Sequence, residues 1–361
     1  MASFNGLWLP NSDSSNATPG AEDMYKVGNS QVVQAARIEN SFLPRLVENN
    51  TAMFTSDGHV YKDVDFTVLG GIGVQTHKRN DRFSGMNVNQ LQRQVSLDDR
   101  PVSNTIEQEE ITKQFDQVPT DVAMLQRQGA GHAEWLEVEV MKAIADASAY
   151  TNPASADDNE FLVGGGDIAI GATRNEAQAL AVLGAIETAS IAWGKKMVPA
   201  AGRWCIVSPE TYWNIVKLDQ FDTAVTQIAG GIYGNVDLAG DKVNFSEYLD
   251  YQMPLRYRGV NIIGHNMIDA TYNIHTKGLQ SSDHVIDSDH NNRGSTYNSS
   301  GDFSGVEGLL FQSSAVGLAD VMSMMVMQEK VPLSTNVATT TLSWIGLGTL
   351  RPEAAYVLDK S

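Results

Sequence analysis

The stretch that decides the fold is "AGRWCIVSPETYWNIVK", residues 201–217, in which an apolar run leads into a helix start signal. Residues 204–207 are apolar and predict a short buried strand. Ser208 is then a suitable N-cap, Pro209 suits the first helical position, and Glu210 adds a favourable negative charge to the first turn. The stretch therefore predicts a strand that passes directly into a helix.

The segments around this junction predict further helices and strands. Residues 174–193 are apolar almost all round, which is typical of a buried helix. "YRGVNIIGHNMI", residues 257–268, and "GLLFQSSAVGLA", residues 308–319, indicate strands. Because helices and strands are interspersed along the chain, the sequence predicts an α+β fold.

A long amphipathic helix is predicted upstream, over residues 120–150. Apolar residues recur there at steps of three and four, with charged residues between them. At 1.5 Å per residue such a helix would span about 40 Å. Gly129 and Gly131 each cost roughly 1 kcal/mol relative to alanine, so we expect a bend near them.

Residues 61–116 alternate like strands at both ends but hold too few apolar residues to bury themselves. We expect a long β-hairpin or loop that lies on another surface. Its tip is basic within an acidic chain, which predicts contact with an acidic surface of another copy. The alternative is a solvated loop with incidental charge. The basic residues of the tip are Lys78, Arg79, Arg82 and Arg93.

The composition indicates a folded, acidic protein. Its 361 residues, 42% of them hydrophobic, allow one large core or two linked ones. The 43 acidic and 25 basic residues give a net charge of −18, which argues against tight nucleic-acid binding because that affinity comes from basic side chains. The single Cys205 excludes an intramolecular disulfide and fits a reducing cytoplasm. We expect no membrane span and no secretory signal.

A glycine motif, "GGGDIA" at residues 164–169, has the spacing of a dinucleotide-binding loop. Such a loop closes a strand and opens the next helix, whereas here "IAIGATRN" comes before the helix. A nucleotide site and a plain glycine loop are the two alternatives, and the pattern favours the glycine loop.

Other site-like motifs lack essential residues, so we expect no catalytic, cofactor or metal site. Asp287, Asp289 and Asn291 match the start of a calcium loop, but the required glycine and glutamate are absent. Ser208 follows a strand but lacks the flanking glycines of a nucleophile elbow. The methionine-rich residues 322–328 favour packing in a core or at a subunit interface.

The chain closes on "LGTLRPEAAYVL", residues 347–358, which predicts a turn followed by a strand. Pro352 holds the preceding residue extended, so residues 354–358 can add an edge strand to a sheet. One interpretation is a terminal strand tied down for stability within the chain. The other is a direct subunit contact through Arg351 or Glu353.

Four of these elements recur together in one family. "VPAAGRW", "SPETY", "SAVG" and "GTLRPEAA" stand in an order and spacing that resembles the major capsid proteins of tailed bacteriophages, specifically the short-tailed podovirus branch. The match runs over about residues 60–358. The resemblance implies the Hong Kong 97-like coat-protein fold.

The resemblance also implies a layout for the chain. Residues 1–60 would be an N-terminal arm, which their lack of periodicity predicts to be extended, and residues 61–116 the extended loop. Residues 117–173 would hold the spine helix of the peripheral domain. Residues 174–330 would form the axial domain, with a polar loop insertion at 280–305, and residues 331–361 would return to the peripheral domain.

The function implied by the resemblance is structural. Copies would self-assemble through hexamers and pentamers into an icosahedral head that encloses double-stranded DNA without binding it specifically. Scaffolding and portal proteins, with or without a decoration protein, would be the partners of this homo-oligomer. The shell would assemble in the host cytoplasm and become part of the virion. The alternatives are an encapsulin-like compartment and a nucleotide-dependent soluble enzyme that uses "GGGDIA".

Overall fold

The computed structural model describes residues 31–39, 41–56, 59–69, 90–97, 102–109, 120–150, 163–218, 255–266, 268, 305–330 and 336–360. The helices are α1 (31–39), α2 (Thr51–Phe54), α3 (Thr120–Ser148), α4 (Glu176–Lys195) and α5 (Pro209–Val216), with 3-10 turns at Leu43–Arg45, Ser313–Ala315 and Pro352–Ala354. The strands are β1 (Glu48–Asn49), β2 (Thr55–Ser56), β3 (His59–Val60), β4 (Asp63–Leu69), β5 (Gln90–Leu97), β6 (Val102–Glu109), β7 (Asp167–Ala169), β8 (Arg203–Val207), β9 (Leu255–Tyr257), β10 (Val260–Gly264), β11 (Val306–Gln312), β12 (Val316–Lys330), β13 (Asn336–Thr349) and β14 (Ala355–Asp359). The predicted α+β class is confirmed. No helix in these ranges combines the length and apolarity that a bilayer crossing needs.

The chain divides into two compact units, and each has a sheet of its own. The first unit takes its residues from Met1–Val68, Gln92–Val140 and Gly317–Gly348, and the second from Leu69–Leu91, Met141–Val316 and Thr349–Ser361. The first sheet has the order β1-β12-β13-β5-β4, with β6 also paired to β13. The second sheet has the order β7-β14-β11-β8-β10-β9, and β2 and β3 form a separate pair.

Residues 31–56 pack against α3 in the first unit. A Cβ on Gly129 of α3 would come within 2.5 Å of the carbonyl oxygen of Val33 on α1. Glu137 of α3 accepts hydrogen bonds from the backbone N–H groups of Phe42 and Leu43. The prediction of an extended arm is therefore wrong for these residues, whose apolar side chains join the core. Residues 1–30 lie outside the described ranges.

Strand β13 is the centre of the first sheet. Its residues 336–343 pair antiparallel with β6, and Gly346 and Leu347 pair antiparallel with β5. The predicted hairpin at 61–116 does place β4 beside β5, but β5 and β6 each pair with β13. Two strands of the segment 61–116, β5 and β6, therefore pair with β13 of the same chain.

His132 of α3 is buried against β13. Its Nε2 lies 2.8 Å from Thr341 Oγ1, and its Nδ1 lies 3.4 Å from Ser343 Oγ. Burial, with a smaller contribution from the positive charge of Arg37, lowers the pKa of His132 from 6.5 to about 4. The imidazole is therefore neutral at pH 7.

The strand-to-helix junction of the second unit has the predicted form. Strand β8 ends at Val207, and the Ser208 side chain accepts a hydrogen bond from the backbone N–H of Thr211 at 3.3 Å to cap α5. Asn175 caps α4 in the same way through the N–H of Gln178 at 3.0 Å. Both helices pack against the second sheet and against each other.

Two predicted strands are interrupted. Residues 257–268 contain the hairpin of β9 and β10, whose turn residues Arg258 and Gly259 have φ values of 49° and 82°. Residues 308–319 are split by the turn at Ser313–Ala315, so that β11 joins the second sheet and β12 the first. The sequence is similarly apolar on both sides of this turn. It therefore does not predict that the chain passes from one sheet to the other.

The last strand, β14, lies inside the second sheet. It pairs antiparallel with β11 and parallel with β7. The prediction that residues 331–361 all return to one peripheral sheet is therefore wrong for β14, because only β13 joins the first sheet. The predicted edge position is also wrong, since β14 has a neighbour on both sides.

A buried carboxylate, Glu307 of β11, joins three segments of the second unit. Its side chain is 0% exposed. It accepts hydrogen bonds from Ser208 Oγ and, at 2.5 Å, from Thr211 Oγ1 at the start of α5. Arg174 Nε before α4 and Lys360 Nζ after β14 lie 3.2 and 3.5 Å from Glu307 Oε2. One buried carboxylate thus pairs with two cations from distant parts of the chain.

Acid should destabilise the first unit through His132. His132 binds a proton near pH 6.5 in the unfolded chain but only near pH 4 in the folded chain. The contribution of His132 to the free energy of unfolding is therefore fully present above pH 6.5 and is lost as the pH drops towards 4, by up to about 3 kcal/mol. A His132→Gln variant, which keeps a partner for Thr341, should lose this part of the pH dependence. Urea unfolding at pH 7 and pH 4.5 measures the difference, and identical pH dependence in both chains would contradict it.

Removal of the Glu307 carboxylate should destabilise the second unit, because Ser208, Thr211, Arg174 and Lys360 each lose one buried interaction. We expect Glu307→Ala to cost about 3 kcal/mol or more. Glu210→Ala is the matched control, since Glu210 Oε2 also pairs with Arg174, at 3.0 Å, but its side chain is 65% exposed. That variant should cost less than about 1 kcal/mol in urea unfolding. Equal costs would show that burial of Glu307 is not the source of its effect.

Candidate functional site

The residues predicted to contact other copies fall in different parts of the structure. Lys78, Arg79 and Arg82 lie outside the described residues. Arg93 lies on β5, which is a strand of the first sheet and not the tip of the loop. Arg351 and Glu353 belong to the second unit, at the turn before β14. Of the described candidates, Arg93 therefore belongs to the first unit and the pair of Arg351 and Glu353 to the second.

Arg351 and Glu353 form an ion pair within the chain. Arg351 Nε lies 2.8 Å from Glu353 Oε1. The Glu353 side chain is only 2% exposed and its Oε2 has no hydrogen-bond partner in the described part of the chain, whereas Arg351 is 29% exposed. The pair holds the turn that leads into β14. This geometry favours the intrachain role for Glu353, and a subunit contact through Arg351 stays a prediction.

The backbone N–H groups of "GGGDIA" are already used. Each of the three glycines donates to a backbone carbonyl of the second unit, so none of the three is free to bind a pyrophosphate. The bonds run from Gly164 to Tyr150 at 2.8 Å, from Gly165 to Ala355 at 3.0 Å and from Gly166 to Ser148 at 2.9 Å.

Close packing explains why these positions are glycine. A Cβ on Gly164 would lie 1.9 Å from the carbonyl oxygen of Ser148, at the end of α3. A Cβ on Gly165 would lie 2.3 Å from the carbonyl oxygen of Ala355 on β14. Gly166 has a φ of 79°, which side chains disfavour. The motif therefore seats a loop against α3 and β14, as the glycine-loop interpretation predicts.

The reactive groups of the second unit are committed to structure. Cys205 is fully buried, and burial raises the pKa of its thiol. Ser208 Oγ is occupied by Glu307 and the Thr211 N–H. Burial also raises the pKa of Tyr212 to about 12. Within the described ranges, no group of three His, Cys, Asp or Glu side chains could hold a metal ion.

Sequence reasoning missed an apolar surface on the second unit. The helix predicted to be buried all round, α4, exposes Leu180 and Ile191 by 45% and 61%. Trp213 on α5 is 51% exposed, and Met197 after α4 is 84% exposed. The available signal was the apolar residues on every side of α4, because one sheet can bury only one face of a helix.

Solved capsid structures have the same fold. A chain in the capsid structure of the cyanophage P-SCSP1u is 20% identical to this one, with a TM-score of 0.57 over 88% of each chain. A chain of the mature capsid of bacteriophage PhiM1 is 11% identical, with a TM-score of 0.58 over 98% of this chain and 91% of that one. A chain of the cyanophage Pam1 capsid is 9% identical, with a TM-score of 0.54 over 87% of this chain and 88% of that one.

No protein-family model and no curated protein matches the sequence. The structural matches nevertheless extend over most of both chains, at 88–98% of this one and 88–91% of the others. The resemblance that the four sequence motifs predict is confirmed at the level of the fold. This chain has the α+β, Hong Kong 97-like fold of bacteriophage capsid proteins.

Proposed function

We propose that this chain is a structural major capsid protein. Copies assemble through hexamers and pentamers into a closed icosahedral shell around packaged double-stranded DNA, and the shell becomes part of the virion after assembly in the host cytoplasm. The observation that carries the proposal is the similarity to capsid chains over 88–98% of this chain. Scaffolding and portal proteins, and in some shells a decoration protein, are the further partners of such a subunit.

The charge of the chain supports this role. A net charge of −18 opposes adhesion between protein and DNA, so a genome can move into the shell without sticking to its wall. The Debye length of about 8 Å at physiological salt confines this repulsion to the inner surface. The chemistry of the described residues is consistent with this role, since the glycine motif and the buried nucleophiles serve packing.

Particles that contain this chain, purified from their natural source, should be closed shells that hold nuclease-protected double-stranded DNA. Negative-stain electron microscopy measures closure, and DNA recovered after nuclease treatment measures the cargo. Closed shells that hold an enzyme and no DNA would indicate an encapsulin-like compartment. Soluble monomers that bind NAD or ATP would contradict a capsid role altogether.

The basic tip of residues 61–116 should contribute to assembly and not to folding. Arg79→Gln with Arg82→Gln removes two charges that can pair with an acidic neighbour, and we expect the protein concentration needed for assembly to rise about tenfold. Arg127→Gln with Arg256→Gln is the matched control, because both side chains are exposed and the change in net charge is equal. Light scattering measures assembly. A shift of the same size in the control, or a loss of folding in the tip variant, would contradict an intersubunit role.

A further inference from the structure

We propose that the outer helical face, defined by Leu180, Gly184, Ile191, Met197 and Trp213, binds a second copy of this chain. The proposal rests on the proposed capsid function and names one surface through which copies meet. These residues lie on α4, just after it, and on α5, and those two helices pack side by side on the second sheet. The face is therefore part of one compact unit.

Met197 occupies a left-handed position after the end of α4, where glycine is the most stable residue. The N–H of Val198 bonds to the carbonyl of Trp193 at 2.9 Å, which closes α4 in a Schellman motif with Met197 at its left-handed position. Its φ of 53° is unfavourable for a side chain. Its thioether side chain is nevertheless 84% exposed. Met197 thus destabilises the free chain through its left-handed backbone and exposes an apolar side chain to water. Binding of a partner that covers this side chain would offset both costs.

Gly184 indicates close approach of a partner to the middle of α4. Glycine destabilises a helix interior relative to alanine. Nothing in the described structure requires it here, since no atom lies within 4 Å of the place where its Cβ would be. In contrast, Gly129 and Gly165 meet backbone atoms of their own chain. The missing side chain at Gly184 leaves room for atoms that come from outside the chain.

Large apolar side chains surround this open position. Leu180 lies one turn before Gly184, and Ile191 lies two turns after it on the same side of the helix. Trp213 extends the apolar surface onto α5. Aromatic residues and methionine are enriched in protein interfaces, and exposed apolar groups gathered on one face indicate such a contact.

The charges around the face fit a second copy of the same chain. Glu176 and Glu210 stand at the start of α4 and α5, while Lys195 and Lys217 stand at their ends. The two helix starts lie together, since Arg174 Nη1 is 3.0 Å from Glu210 Oε2. A second copy that runs antiparallel would place its acidic end beside the basic end of the first. The middle of the face carries one exposed ion pair, Arg258 Nη2 to Glu187 Oε1 at 3.0 Å, which has no net charge. In a chain of charge −18, two copies can therefore meet at this surface without net repulsion.

Two substitutions separate assembly from folding. Met197→Gly removes the exposed side chain and relieves its backbone, and Gly184→Ala favours the helix and fills the open position. Both should leave the thermal midpoint unchanged or raised, yet each should raise the concentration needed for assembly about tenfold. Val163→Ala, which trims a 41% exposed apolar residue outside α4 and α5, is the control and should leave assembly unchanged. Assembly of both variants at the wild-type concentration would overturn the proposal.

Cross-linking identifies the partner. A photoreactive amino acid at position 191 should cross-link to a peptide of a second copy, both in shells and in concentrated solution of the full chain. A cross-link only to another protein, or none above that of the same probe at position 163, would overturn the proposal. If particles from the natural source are not closed shells, the proposed function fails, and the cross-link in solution still tests the contact. If shells form and the substitutions above do not affect them, only the contact fails.

Discussion

The carbonyl oxygen of Ala315 joins the two turns at which the chain passes between sheets. It accepts hydrogen bonds from the N–H groups of Leu350 and Arg351, at 2.9 and 3.2 Å. Ala315 stands between β11 and β12, and Leu350 and Arg351 stand between β13 and β14, so the two places where the chain changes sheet are bonded to each other. Because β14 then pairs with both β11 and β7, the second sheet is complete only when the end of the chain has arrived.

This arrangement gives several glycines and charges a structural purpose. The loop can pack against the end of α3 at Gly164 and against β14 at Gly165 only because neither residue has a side chain. Glu307 then fixes the ends of the same region through Arg174 and Lys360. In the absence of these bonds, a buried carboxylate would carry a large desolvation penalty. The glycine motif, which has the spacing of a binding loop, and Ser208, which follows a strand as a nucleophile would, therefore serve to hold segments of the second unit together.

The features that depend on neighbouring residues were predicted from the sequence. The cap at Ser208, the helix α3 and the α+β class follow from residue order and periodicity. The interior position of β14 and the change of sheet at Ser313–Ala315 depend on pairing between residues far apart in the chain, and a strand carries no mark of its partner. The helix α1 was missed because its burial depends on residues far along the chain, such as Gly129 and Val326 against Val33. Among the candidate contact residues that the structure describes, Arg351 and Glu353 are bonded together, and that bond lies within the chain.

Assembly of an acidic subunit requires that attraction be weak and local. Copies of charge −18 repel one another beyond contact, so only surfaces that are neutral or basic can meet. A large sticky surface would also bind wrong neighbours, whereas a closed shell repeats each correct contact many times. Small groups of exposed apolar residues, such as Ile191 and Met197, satisfy both conditions, because each contact is modest and reversible until the shell closes. In the proposed shell, the strong interactions would lie inside each subunit, where the buried Glu307 and the pairing of β14 with β7 and β11 fix the shape of the second unit.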